Sequence, residues 1–163
     1  LFCSYISICI FSIYYNAGII IPLFTTTFLY KDLKKNNNIS YIKPFYVAFM
    51  WTFCTCIIPL LIQNIEYTHL SMEYLIPPFL NLFALTNFAD LKDYDEDIIN
   101  NVNTLPIILG KDKTKKIILI SSLISLLLFV NSDYYTNNYQ NILYILSNIG
   151  PYINMIDIFN KSK

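Results

Sequence analysis

Arginine is missing from this chain. All eleven basic side chains are lysine, and eleven acidic residues balance them to a formal charge of zero. With no excess charge and no basic stripe interleaved with aromatics, nothing supports a nucleic-acid partner. Abundant Asn, Ile, Tyr, Phe and Lys beside absent Arg read as AT-rich coding, which speaks of the genome rather than of function. Histidine occurs once, at His69, and none of the four cysteines (Cys3, Cys9, Cys54, Cys56) has a Cys or His partner at zinc spacing. A Cys-x-Cys pair within one helix turns its side chains in different directions, so the cysteines read as small buried hydrophobes. A basic leader and a cleavage site do not appear, so a signal peptide is not expected here. The first residue is Leu, already inside an apolar run, and the chain is therefore expected to be truncated at its N-terminus.

What is present in quantity is apolar surface. Of 163 residues, 55% are hydrophobic and 13% charged, with a mean hydropathy of +0.47. Apolar stretches cover roughly 1–14, 16–30, 44–62, 73–89, 116–131 and 139–157. A helix needs about 20 apolar residues to cross a bilayer, with about 17 as the lower limit. Asn16, Ala17, Gly18 and Pro22 interrupt residues 1–30, giving two helices with a tight turn, or alternatively one kinked helix. The expected fold is all-α: a single transmembrane domain over 1–163, a polytopic helix bundle of about six helices.

The lysines orient that bundle. Lys31, Lys34, Lys35 and Lys43 share one loop; Lys92, Lys111, Lys113, Lys115 and Lys116 share another; Lys161 and Lys163 end the chain. The intervening loops 63–72 and 132–138 have none. Alternate loops thus carry one bias, as the positive-inside rule requires of a multi-pass integral membrane protein. Residues 86–110, TNFADLKDYDEDIINNVNTLPIILG, fall on the cytoplasmic side, and His69 on the opposite one.

Five acidic residues crowd into Asp90–Asp97. On a continuing helix Asp90, Asp93 and Asp97 lie at i, i+3 and i+7 on one face, with Asn87 one turn earlier. Three carboxylates on one stripe repel unless a cation sits among them. Oxygen-only ligands select a hard ion, Mg²⁺ before a transition metal, and Mg²⁺ commonly completes its shell with substrate phosphate. A diphosphate is the natural companion. An EF-hand is rejected: after the 1-3-5 spacing of Asp93, Asp95 and Asp97, its Gly and Glu positions hold Ile98 and Thr104. Asp95 and Glu96 are expected to be merely solvated. Thr104 followed by Pro106 reads as the start of the next helix.

The pattern D-x-K-D-x-x-x-D, a Gly-like position, then T-L-P-x-x-L-G resembles the second aspartate-rich motif of the UbiA-type membrane prenyltransferases. It stands here as Asp90, Lys92, Asp93, Asp97, Asn101, Thr104, Leu105, Pro106, Leu109 and Gly110. Tyr30 and Lys34 match the family's Y-x-x-x-K element, and Pro44 and Trp51 a following P-to-W stretch. The departures are Glu96 and Asn101, where the family has Gly, and Ala89, where it has Asn. The first aspartate-rich motif is not in the chain. The resemblance covers essentially all of it, as the later two-thirds of a nine-helix member.

The resemblance implies a Mg²⁺-dependent intramembrane prenyltransferase. It would transfer an allylic prenyl group from a prenyl diphosphate to an aromatic or other lipophilic acceptor, with half of the metal site in this chain. Asp90, Asp93 and Asp97 would hold Mg²⁺, with Asp93 and Asp97 catalytic; Tyr30, Lys34 and Lys92 would contact the diphosphate. Membrane lipid is the other expected partner. A competing reading is a non-enzymatic polytopic membrane protein, a transporter fragment or inactive remnant, whose acidic loop binds a cation at the surface. A soluble all-α isoprenoid diphosphate synthase is opposed by the unbroken apolar runs and the alternating lysine loops.

Overall fold

The computed structural model describes residues 40–58 and 72–131. After a 3-10 turn at Ser40–Ile42, helix α1 runs over Lys43–Thr52 and widens into a π turn at Phe53–Ile57. Pro44 suits the first turn of α1, where its missing N–H costs nothing. The hydroxyls of Thr52 and Thr55 donate back to the carbonyls of Ala48 and Trp51, both at 2.8 Å. Such back-bonding competes with regular helix geometry, here next to a π turn.

Helix α2 spans Met72–Lys92, followed by the short α3 at Tyr94–Ile99, α4 at Leu105–Leu109 and α5 at Lys111–Val130. No strand occurs among the described residues. Helix α2 is central, packing against α5 and against α1. Ala84, Phe88 and Leu91 of α2 meet Ile118 of α5 in the core, and Phe45 of α1 lies against Phe83 with ring centroids 4.5 Å apart. Pro77 and Pro78 withdraw two backbone donors from α2. Against Pro77, the buried Ser125 hydroxyl of α5 donates to the carbonyl at 2.7 Å.

Helix α5 turns a mixed face inward: Ile118 and Phe129 are buried there beside small hydroxyl residues. Thr114, Ser121, Ser122 and Ser125 are buried, whereas Ile120, Leu123, Ile124, Leu127 and Val130 are exposed. Small hydroxyl residues allow close helix–helix approach, and their outward neighbours leave an apolar face uncovered.

The expected transmembrane bundle is corrected here. Helices do form where the apolar runs at 73–89 and 116–131 placed them, but no described helix is long and apolar enough to cross a membrane. In α2 the apolar run is diluted by Pro77, Pro78, Asn81, Asn87 and Asp90. In α5 the charges at Lys111, Asp112, Lys113, Lys115 and Lys116 use up the first turns. The remaining residues 117–130 extend about 21 Å at about 1.5 Å each, short of a hydrocarbon layer of about 30 Å. The described helices therefore give no support to a multi-pass integral membrane protein. Of the other expected spans, 1–14, 16–30 and 139–157 lie outside the described residues, as does the end of 44–62.

Candidate functional site

The acidic stretch is helical rather than a loop, and its backbone explains how the carboxylates are arrayed. Helix α2 ends at Lys92, and Asp93 occupies the N-cap of α3 with φ −86° and ψ 7°. Hydrogen bonds nevertheless bridge the break with helical spacing: Asp93 N–H donates to the Ala89 carbonyl at 3.2 Å and Asp97 N–H to the Asp93 carbonyl at 2.8 Å. The i, i+3, i+7 stripe of Asp90, Asp93 and Asp97 thus carries through. Three acids in the first turn of α3, Asp95, Glu96 and Asp97, also favour that helix by facing its dipole.

Helix α3 then closes with a Schellman arrangement. Asn101 adopts φ +54°, its N–H donates to Ile98 O at 3.2 Å, and Val102 N–H reaches back to Asp97 O at 2.9 Å. Asn101 does stand at a left-handed position, as its match to a family glycine anticipated. Thr104 heads α4 in an extended conformation, as its pairing with Pro106 anticipated. Its hydroxyl is diverted from capping and instead donates to Asp97 Oδ2 at 3.1 Å.

The three aspartates sit in unequal surroundings. Asp93 is exposed and Asp97 half-buried. Asp90 is 2% exposed, and Lys43 of α1 donates to its Oδ1 at 2.8 Å. Burial pushes the Asp90 carboxyl up, Lys43 pulls it back down, and the charges of Asp97 and Asp93 push it up again. Asp93 and Asp97 are therefore each within electrostatic reach of Asp90. The other oxygen of Asp90, Oδ2, is buried with no hydrogen-bond partner among the described residues, and so is Oδ1 of Asn87, which is fully buried. The Asn87 amide nitrogen donates to Phe83 O at 2.8 Å, which leaves its oxygen free to accept. Two orphaned oxygens one helical turn apart are a costly arrangement unless a cation or donor joins them.

Lys92 is exposed, its ammonium 4.8 Å from the centre of the Phe88 ring. Asp95 and Glu96 are solvated as expected, Asp95 pairing with Lys111 at 3.2 Å on the surface. Tyr30 and Lys34 lie outside the described residues, as does His69. Cys54 and Cys56 are free thiols; Cys56 is buried in the π turn, in keeping with a small buried hydrophobe, whereas Cys54 is only half-buried. In the sequence Lys43 stands only as one of four loop charges. Its pairing with a residue 47 positions away has no local signature. Asn87 was noted on the stripe, but its orphaned oxygen depends on the packing around it.

The donor chemistry fits Mg²⁺: carboxylate and amide oxygens only, two of them buried and unsatisfied. The gathering is incomplete, because no group of three acidic, histidine or cysteine side chains close enough to hold a metal ion occurs among the described residues. Lys43 occupies one oxygen of Asp90 and Thr104 one of Asp97.

Fold and site together define, among the described residues, a helical arrangement with an acidic, oxygen-lined stripe where the longest described helix ends. Compared with protein-family models, with curated proteins and with solved structures, the chain matches none.

Proposed function

We propose that this chain handles a prenyl diphosphate through Mg²⁺ and takes part in transferring the prenyl group to a lipophilic acceptor, as the resemblance to UbiA-type prenyltransferases implies. The observation that carries the reading is the buried, unsatisfied pair Asp90 Oδ2 and Asn87 Oδ1, on the stripe that continues to Asp93 and Asp97. Asp90, Asp93 and Asp97 would hold the ion, with Asn87 supplying a neutral oxygen. Bound there, Mg²⁺ would neutralise diphosphate charge and so improve it as a leaving group. Exposed Lys92, with Tyr30 and Lys34 by resemblance, would add cationic and hydroxyl donors toward the same diphosphate. The outward leucines and isoleucines of α5 offer an apolar surface against which lipid and a lipophilic substrate would lie.

A second reading has one observation in its favour. Lys43 already neutralises Asp90, so the acids could serve a non-enzymatic membrane protein as part of a surface cation site or a structural latch. Turnover separates the two. Joined to any segment that completes the site, the chain with Asp93→Ala or Asp97→Ala should lose Mg²⁺-dependent release of pyrophosphate from an allylic prenyl diphosphate by about a hundredfold or more. Unchanged turnover in either variant would falsify the catalytic assignment.

A further inference from the structure

We infer that the outward face of α5 docks on the surface of an anionic lipid bilayer, its aliphatic residues entering one leaflet while Lys113 and Lys116 meet lipid phosphates. The inference holds whatever the acidic stripe binds, since it uses none of the residues there.

Helical phase sets the face. At 3.6 residues per turn, Lys113, Lys116, Ile120, Leu123, Ile124 and Leu127 fall within a sector about 100° wide. All six are exposed. The other side of α5 is anchored to α2: Ile118 is fully buried in the core, and the Ser125 hydroxyl holds the Pro77 carbonyl at 2.7 Å. Rolling the aliphatic sector inward would break both contacts.

Three observations select lipid as the occupant. From Ile120 to Leu127 the sector is wholly Leu and Ile. It offers no aromatic ring, no arginine and no hydrogen-bonding side chain, the groups that anchor protein partners, whereas acyl chains ask only for apolar area. Next, positive charge stands at one end of the same sector, with Lys116 one turn and Lys113 two turns before Ile120. Exposed Asp112 borders it and offsets one of the two. Lys111 lies on the far side of the helix, paired with Asp95 of α3 at 3.2 Å and with its ammonium 4.2 Å from the Tyr94 ring centre. Lysine stems lie along apolar surface and lift their ammoniums to headgroup level. Finally, the same lysines disfavour a second copy of the chain. Parallel pairing of two α5 sectors would set the lysines against each other. Antiparallel pairing would set them beside Leu127 and Asn131, where no acidic residue stands among the described residues of α5. The apolar residues 117–130, about 21 Å long, suit a helix lying along a leaflet.

The test is flotation of the full chain with vesicles of phosphatidylcholine, alone or mixed with phosphatidylserine. Binding should be tighter to the mixed vesicles. There Lys113→Gln and Lys116→Gln should each weaken it about fivefold, with no change on phosphatidylcholine alone. Leu123→Ser and Leu127→Ser should each weaken binding to both vesicle types about tenfold, with helix content by circular dichroism unchanged. In a Trp51→Phe background, Ile120→Trp and Leu127→Trp should emit as solvated indole without vesicles, and be quenched by phospholipids brominated along their acyl chains. Failure to float, equal flotation with the two vesicle types, or flotation that none of the four substitutions alters overturns the inference. So does indole emission already shifted to the blue before vesicles are added, because a second copy or another segment of the chain then covers the face. Should the tryptophan variants fail to fold, the flotation series decides by itself.

Discussion

At the scale of single residues, the backbone after the acidic stripe is set by two side chains whose roles are local. Asn101 must hold φ +54° so that Val102 N–H can return to Asp97 O and stop α3. Asparagine tolerates that conformation better than residues with a full Cβ environment, and glycine better still. Asn101→Ala should therefore lower stability by about 1 kcal/mol, with Asn101→Gly neutral or stabilising, read from urea midpoints at constant slope. Gly110, at φ +87°, joins α4 to α5 at a backbone position that side chains seldom adopt, although space for a Cβ is open there. Features of this kind could be read from the chain because their partners lie within a few residues: Asn101 as a glycine-like position, Thr104 and Pro106 as a helix start. The partner of Asp90 could not. Lys43 lies on another helix, and nothing in its neighbourhood of Tyr41, Ile42 and Pro44 signals a carboxylate.

At the scale of the elements, periodicity located the helices but not which face turns inward. In α5 Ser121, Ser122 and Ser125 are buried together with Ile118 and Phe129, and the Leu123, Ile124 and Leu127 stripe is exposed. A stripe of hydroxyls and a stripe of aliphatics have the same helical period, so the choice depends on what surrounds the helix. Substitutions invert the usual expectation accordingly. Ser122→Leu should cost about 1–3 kcal/mol, because Ser122 is 4% exposed and a larger side chain must push α2 away. Leu123→Ser should change stability by no more than about 0.5 kcal/mol. Chemical unfolding of the two variants checks both. A stabilised Ser122→Leu would mean that this face is not packed against α2. The length of an apolar run alone does not make a membrane crossing: the prolines, asparagines and Asp90 interrupt α2, and a cluster of lysines takes up the start of α5.

At the scale of the molecule, α2 brings everything together. One of its faces receives α1, another receives α5, and its end carries Asn87 and Asp90 to the point where α3 begins. That arrangement turns a linear acidic pattern into a graded site: a sealed carboxylate held by Lys43, a half-buried one held by Thr104, and an exposed one at the helix break. The grading was not legible in the spacing, which made the three acids equivalent. Their common stripe was legible, because helical phase survives the break at Asp93. Two buried oxygens on that stripe, Asp90 Oδ2 and Asn87 Oδ1, keep no hydrogen-bond partner among the described residues.

The most direct test is a calorimetric titration of Mg²⁺ into the full chain, with and without inorganic pyrophosphate, repeated for Asp93→Asn and Asp97→Asn. Binding of Mg²⁺ that tightens by about tenfold or more with pyrophosphate, and that both variants abolish, is the predicted result. Binding that pyrophosphate leaves unchanged, or that survives in both variants, would contradict a diphosphate role for the acidic stripe.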